Sequence, residues 1–141
     1  MATMTAFEAM LDARDPGTLH HAYRTAAYAV VLGRRLGLSD DALLALERGT
    51  FLHDVGKIHM PDRLLKKTDV FSEVEWRMMR AHAVTGYAMV ASLPAFHDIA
   101  QIVLAHHERF DGSGYPHRLP GACFSFRANF NRFARGAART C

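Results

Sequence analysis

Cysteine is scarce and late in this chain: Cys123 and Cys141 are its only two. That excludes a disulfide framework and fits free thiols in a reducing, cytoplasmic compartment. Long apolar runs are missing too. The longest, Ala26 to Leu32, falls far short of the ~20 residues that cross a bilayer, so no membrane span is expected. Met1 to Met10 carries Glu8 and no basic start, unlike a secretory leader. β-type alternation, internal repeats and an interdomain linker are also absent, so 141 residues, half of them apolar, are expected to form one domain over 1–141. Acid is missing from one end. Up to Asp111 the chain has 12 Lys+Arg against 14 Asp+Glu, whereas from Gly112 onward it has Arg118, Arg127, Arg132, Arg135, Arg139 and no acid. The formal charge of +3 is therefore a property of the tail. No aromatic stacking platform or groove-entering motif accompanies these arginines, so a solvated end is expected rather than a nucleic-acid surface.

The periodicity present is helical. Leu19 to Leu36 places Ala22, Ala26, Ala29, Val30 and Leu36 at helical spacing, and Gly37 closes it. Ser39-Asp40-Asp41 caps a second helix with Leu43, Leu46 and Leu52 on one face, which delivers His53 and Asp54. Gly56 and Pro61 interrupt the pattern. Ser72, with Glu75 three residues on, forms a capping box for a helix through Trp76, Met79 and His82 toward Val90. Pro94 precedes a last helix, Phe96 to Glu108, and Asp111-Gly112-Ser113-Gly114 reads as a tight turn. Trp76, Met78, Met79, Tyr87 and Met89 are expected in core packing. The fold class expected is all-α, a compact helical bundle with a metal site between helices.

Against this background the ligand-type residues stand out. His106-His107 and His53-Asp54 are paired histidines and a carboxylate from separate helices, a set suited to two divalent cations. Neighbours on a regular helix point about 100° apart, so His53 and Asp54 at a helix end would serve adjacent ions. Asp54 is then the natural bridge, because paired metals about 3.5 to 4 Å apart activate water and neutralise phosphate. On this reading His21 joins His53 at the first ion, while His82, His106 and His107 complete the second. Lys57, three residues after Asp54, would meet a phosphate oxygen or bound water. Each residue alone has an ordinary alternative: His-Asp pairs arise by chance, and Lys57 can be a solvated helix-end cation. His59, His97 and His117 are expected to be ordinary polar residues.

The ordered set Arg14-Asp15-Pro16, His21 with Arg24, Leu52-His53-Asp54-Val55-Gly56-Lys57-Ile58, Pro61-Asp62, Glu75-Trp76, Arg80-Ala81-His82 with Gly86, and His106-His107-Glu108-Arg109-Phe110-Asp111-Gly112-Ser113-Gly114-Tyr115-Pro116 resembles the HD-GYP domains of the HD superfamily of metal-dependent phosphohydrolases. The resemblance covers residues 14–121. It implies a helical HD-type bundle that hydrolyses the bacterial second messenger cyclic di-GMP to pGpG, and sometimes onward to GMP. It also implies two ions, iron or manganese, held by His21, His53, Asp54, His82, His106 and His107, with Lys57 assisting and Tyr115 contacting substrate. A diguanylate cyclase or another signalling domain is the implied protein partner.

Two departures accompany the resemblance. Gly17 stands where some family members place a Glu that helps to hold a third metal, so two metals are expected. Where the family has a late Asp ligand, a gap-free register gives Arg135, and the chain ends before the family's substrate-gripping segment. Residues 122–141 are thus expected to be divergent or truncated, and the site weakened by one carboxylate. The competing expectations are an impaired module that binds nucleotide or a partner, and a general HD-type nucleotide phosphohydrolase.

Overall fold

The structure, a computed structural model, describes residues 2–14 and 16–119. Six α-helices and two short 3-10 turns make up its regular elements, with no strand among the described residues. Helix α1 (Ala2–Arg14) leads into α2 (Pro16–Arg35) and α3 (Asp40–Phe51). A 3-10 turn (Val55–His59) and the single-turn α4 (Asp62–Leu65) then connect to α5 (Glu73–Ala91). A second 3-10 turn (Pro94–Phe96) precedes α6 (Ala100–Ala105). The all-α expectation holds. So do both caps: the Ser39 side chain accepts from Ala42 N, and Ser72 and Glu75 form the reciprocal capping box. Lys67 Nζ, 2.7 Å from Glu75, ties the preceding loop to that box.

The core is a layer of side chains shared by all the longer helices. Phe7 and Leu11 from α1, Ala22 and Ala26 from α2, Leu46 from α3 and Val90 from α5 meet Leu52, Val55, Phe96, Ile99 and Val103. Fully burying an aliphatic side chain contributes about 1.5–3 kcal/mol, so this layer supplies the main drive for assembly. Helix α2 packs on α3, and α5 packs on both α6 and the first 3-10 turn. Gly56 makes that last contact possible: a Cβ there would strike the His82 carbonyl and lie 2.6 Å from Gly86 N. The turn after Asp54 therefore rests directly on the α5 backbone beside His82.

Four local expectations differ. Helix α1 had no counterpart in the periodicity reading; Phe7 finds its partner in Phe96, ring centres 6.1 Å apart, across a long sequence separation. Leu36 lies beyond the end of α2 and is 43% exposed, outside the core. The last helix is shorter than Phe96 to Glu108, because a turn started by Pro94 occupies its beginning and His106 caps its end. Trp76 and Met78 are exposed rather than core, while Tyr87 and Met89 pack against the core as expected. Residues 122–141 lie outside the described residues.

Candidate metal centre

Four of the six cluster residues, His53, Asp54, His106 and His107, arrive just after the end of a helix, where the chain is free to change direction. Helix α3 stops at Phe51, and the Leu52 N–H closes it on the Arg48 and Thr50 carbonyls. His53 and Asp54 follow in the turn, with His53 Nε2 3.2 Å from Asp54 Oδ2. His82 comes from the middle of α5, where it is 1% exposed. His106 and His107 follow α6, and His21 projects from α2 with its ring centre 5.4 Å from that of His53. The structure thus brings together all six residues of the predicted constellation. They form two groups of mutually close ligand atoms, Asp54 with His82, His106 and His107, and Asp54 with His21 and His53. Asp54 belongs to both.

Backbone carbonyls set the chemistry of three of the imidazoles. His53 Nδ1 lies 2.5 Å from Thr50 O, His82 Nδ1 2.6 Å from Met79 O, and His106 Nδ1 2.7 Å from Val103 O. An Nδ1 proton donated to a carbonyl leaves Nε2 of the neutral ring as a lone pair, the form that ligates metals. His82 Nε2 and His106 Nε2 face each other at 3.1 Å, with Asp54 Oδ1 3.2 Å and 3.8 Å away. Burial, with the crowding of neighbouring rings, pushes His106 down to about 3 and His107 down to about 4, so both imidazoles are uncharged at neutral pH. Burial disfavours ionisation of Asp54, yet the ring nitrogens of His53 and His82 beside it and the Lys57 ammonium outweigh it and hold the carboxyl well below the usual range. Its Oδ1 is buried and makes no hydrogen bond to the described residues. Converging lone pairs around an ionised, partly unpartnered carboxylate repel one another unless positive charge sits among them. This donor set fits divalent cations.

The remaining predicted residues lie around the cluster. Lys57 Nζ is 2.8 Å from Asp54 Oδ2, the geometry expected three residues along a helical turn. Tyr115 stacks on His107, ring centres 4.6 Å apart, and burial followed by the Asp54 charge pushes its hydroxyl up to about 12. In the predicted tight turn Gly112 has φ 74°, and Asp111 Oδ1 accepts from Ser113 N. His59, His97 and His117 are exposed and outside both groups.

Sequence reasoning gave Glu108 no role. It is 8% exposed, and its carboxylate accepts from the backbone N–H groups of His117, Arg118 and Leu119 at 2.6, 3.1 and 3.0 Å. Glu108 thus pins the chain immediately after Tyr115 and Pro116 and fixes the loop over the cluster. Its signal was an acid between two metal-type histidines and a loop whose amides have no helical partners.

Comparison with known proteins agrees with this geometry. An HD domain family model matches residues 5–130. The chain is 37% identical over 118 residues to 3'3'-cGAMP-specific phosphodiesterase 3 of Vibrio cholerae, covering 84% of this chain and 26% of the relative. It is 36% identical over 128 residues to a cyclic di-GMP phosphodiesterase response regulator of Xanthomonas campestris, covering 89% and 34%. It is 34% identical over 108 residues to a cyclic di-GMP phosphodiesterase of Thermotoga maritima, covering 75% and 29%. The chain spans about a quarter to a third of the length of these curated relatives. With the family match spanning most of its residues and the Gly114-Tyr115-Pro116 loop seated beside the histidine cluster, the chain belongs to the HD domain family, in its HD-GYP group.

Proposed function

We propose that this chain is a single catalytic domain that acts in the cytoplasm on a 3′,5′-cyclic dinucleotide, cyclic di-GMP first, and opens one phosphodiester to give the linear dinucleotide. The observation that carries the reading is the shared, buried Asp54, which joins two histidine groups and keeps one oxygen without a hydrogen-bond partner among the described residues. His21, His53 and Asp54 hold one divalent ion, and Asp54, His82, His106 and His107 hold the other; imidazole with carboxylate suits iron or manganese. When bound, the ions supply a water of lowered pKa and neutralise charge on the phosphodiester oxygens.

The protein's own groups do the rest. Lys57, held against Asp54, keeps an ammonium beside the position of the scissile phosphate and balances the carboxylate. The stacked Tyr115 closes one side of the cluster and offers a hydroxyl that stays protonated at neutral pH as a donor to the nucleotide. Glu108 holds the loop that presents it. The test is chromatographic product analysis with anaerobically purified protein, Fe(II) or Mn(II), and cyclic di-GMP beside 3',3'-cGAMP. Linear dinucleotide from the wild type and none from His53→Ala supports the reading; preference for a mononucleotide overturns it in favour of a general HD phosphohydrolase.

A second reading has its own observation: in a gap-free register Arg135 stands where the family has a late Asp ligand. A site without a further late carboxylate would bind cyclic dinucleotide, or a diguanylate cyclase domain, without turnover. Metal binding and nucleotide binding with no product would select it.

A further inference from the structure

Arg80 stands on α5 two residues before His82 and is exposed to solvent. Its guanidinium carbon lies 5.7 Å from the centre of the Trp76 ring and 5.5 Å from that of Tyr115. Tyr115 in turn stacks on His107, and Trp76 meets the Phe71 ring edge-on at 5.2 Å. A ladder of planar groups, His107, Tyr115, Arg80, Trp76 and Phe71, therefore runs outward from the cluster. Nearby charges are committed elsewhere: Lys57 to Asp54, Lys67 to Glu75 and Arg109 to Asp111. Among the described residues Arg80 has aromatic neighbours but no acid and no hydrogen bond, and Trp76 is 45% exposed.

We infer that Arg80 reads the guanine base, with Trp76 and Tyr115 holding its plane. Contact with aromatic rings engages the faces of a guanidinium and leaves its N–H edges available. Guanine presents two adjacent acceptors, O6 and N7, to such a fork, whereas adenine puts the N6 donor where O6 would be. The exposed Trp76 ring adds a surface on which any base can stack, so the rings supply affinity and Arg80 supplies the choice of base. A phosphate would also suit the fork. The ladder, however, leads away from the cluster proposed to hold the scissile phosphodiester, and its aromatic faces suit the plane of a base better than a phosphate. This inference rests on the cyclic dinucleotide reading for the identity of the ligand.

Trp76 is the chain's single tryptophan, so its fluorescence reports ligand beside Arg80 directly. Stopped-flow titration of Mn(II)-loaded protein with cyclic di-GMP and with cyclic di-AMP, and turnover measured in parallel, makes the test. The wild type is expected to prefer cyclic di-GMP, and Arg80→Met is expected to cut that preference roughly 5- to 150-fold, the range of one bidentate base contact, with metal content unchanged. Arg80→Lys, which keeps the charge and loses the fork, should also lose most of the preference. Equal weakening toward both ligands would make Arg80 a phosphate contact and overturn the inference; so would an unchanged preference, or none in the wild type. Absent turnover with an Arg80-dependent preference would remove only the phosphodiesterase reading. Turnover with a base preference indifferent to Arg80 would remove only this inference.

Discussion

The two halves of the histidine cluster are built differently. On the inner side, His82 and His106 are locked by backbone carbonyls of their own elements, His82 is 1% exposed, and Asp54 Oδ1 sits between them. On the outer side, His21 is exposed on α2 and, among the described residues, its ring nitrogens hydrogen-bond only to the Thr25 hydroxyl, at 3.5 Å, although its partner His53 has a carbonyl latch. Ligands fixed before binding lose less freedom when an ion arrives, so the inner position should fill first and exchange last. On the proposed two-ion reading, these carbonyl latches would make one ion position tight and the other looser, with Asp54 shared between them.

The largest effect should come from removing what the halves share. Asp54→Ala is expected to abolish both ion positions and reduce hydrolysis to background, read by metal analysis and product formation; retention of either ion would separate the halves more completely than the geometry allows. Next, single ligand removals should divide the site. His82→Ala is expected to lower metal content to one ion or fewer, while His21→Ala keeps the inner ion and loses the outer one. Equal losses in the two variants would erase the asymmetry.

The cluster was legible in the sequence because paired histidines and a His-Asp step are chemically conspicuous and have little use in a core. The Ser72 and Glu75 caps were legible because capping is local: three residues contain the whole interaction. The rest depended on contacts between distant segments. Helix α1 is stabilised by Phe7 against Phe96 and by Arg14 bonded to Met60 O and Asp62, partners far along the chain. Glu108 acts through amides nine to eleven residues later. Trp76 has the composition of a core residue, and only its place on α5 showed it to be a surface ring beside Arg80.

A smaller effect tests the loop that covers the inner half. Glu108→Ala leaves three backbone N–H groups without their carboxylate, a cost of about 2–3 kcal/mol by analogy with charged hydrogen bonds. Chemical denaturation should show that loss, while metal content stays at the wild-type level and nucleotide affinity falls. The smallest effects concern the helix that carries His82. Ser72→Ala should cost about 1 kcal/mol, the usual value for an N-cap. Hydrogen bonds from Lys67, then from the Ser72 backbone and side chain, depress Glu75 to about 2 from 4.5. A depressed carboxyl stabilises the fold above its unfolded value, so this contribution is complete above about pH 4.5 and lost as pH falls toward 2. Melting temperature against pH for wild type and Glu75→Gln should converge at the acidic end of that window.

Calorimetric titration of the demetallated chain with Mn(II) under anaerobic conditions, alongside His21→Ala, tests the shared-carboxylate centre most directly. Two binding steps in the wild type, the tighter one alone surviving in His21→Ala, are the predicted result. A single step in the wild type, or loss of the tighter step in His21→Ala, would contradict a two-ion site organised around Asp54.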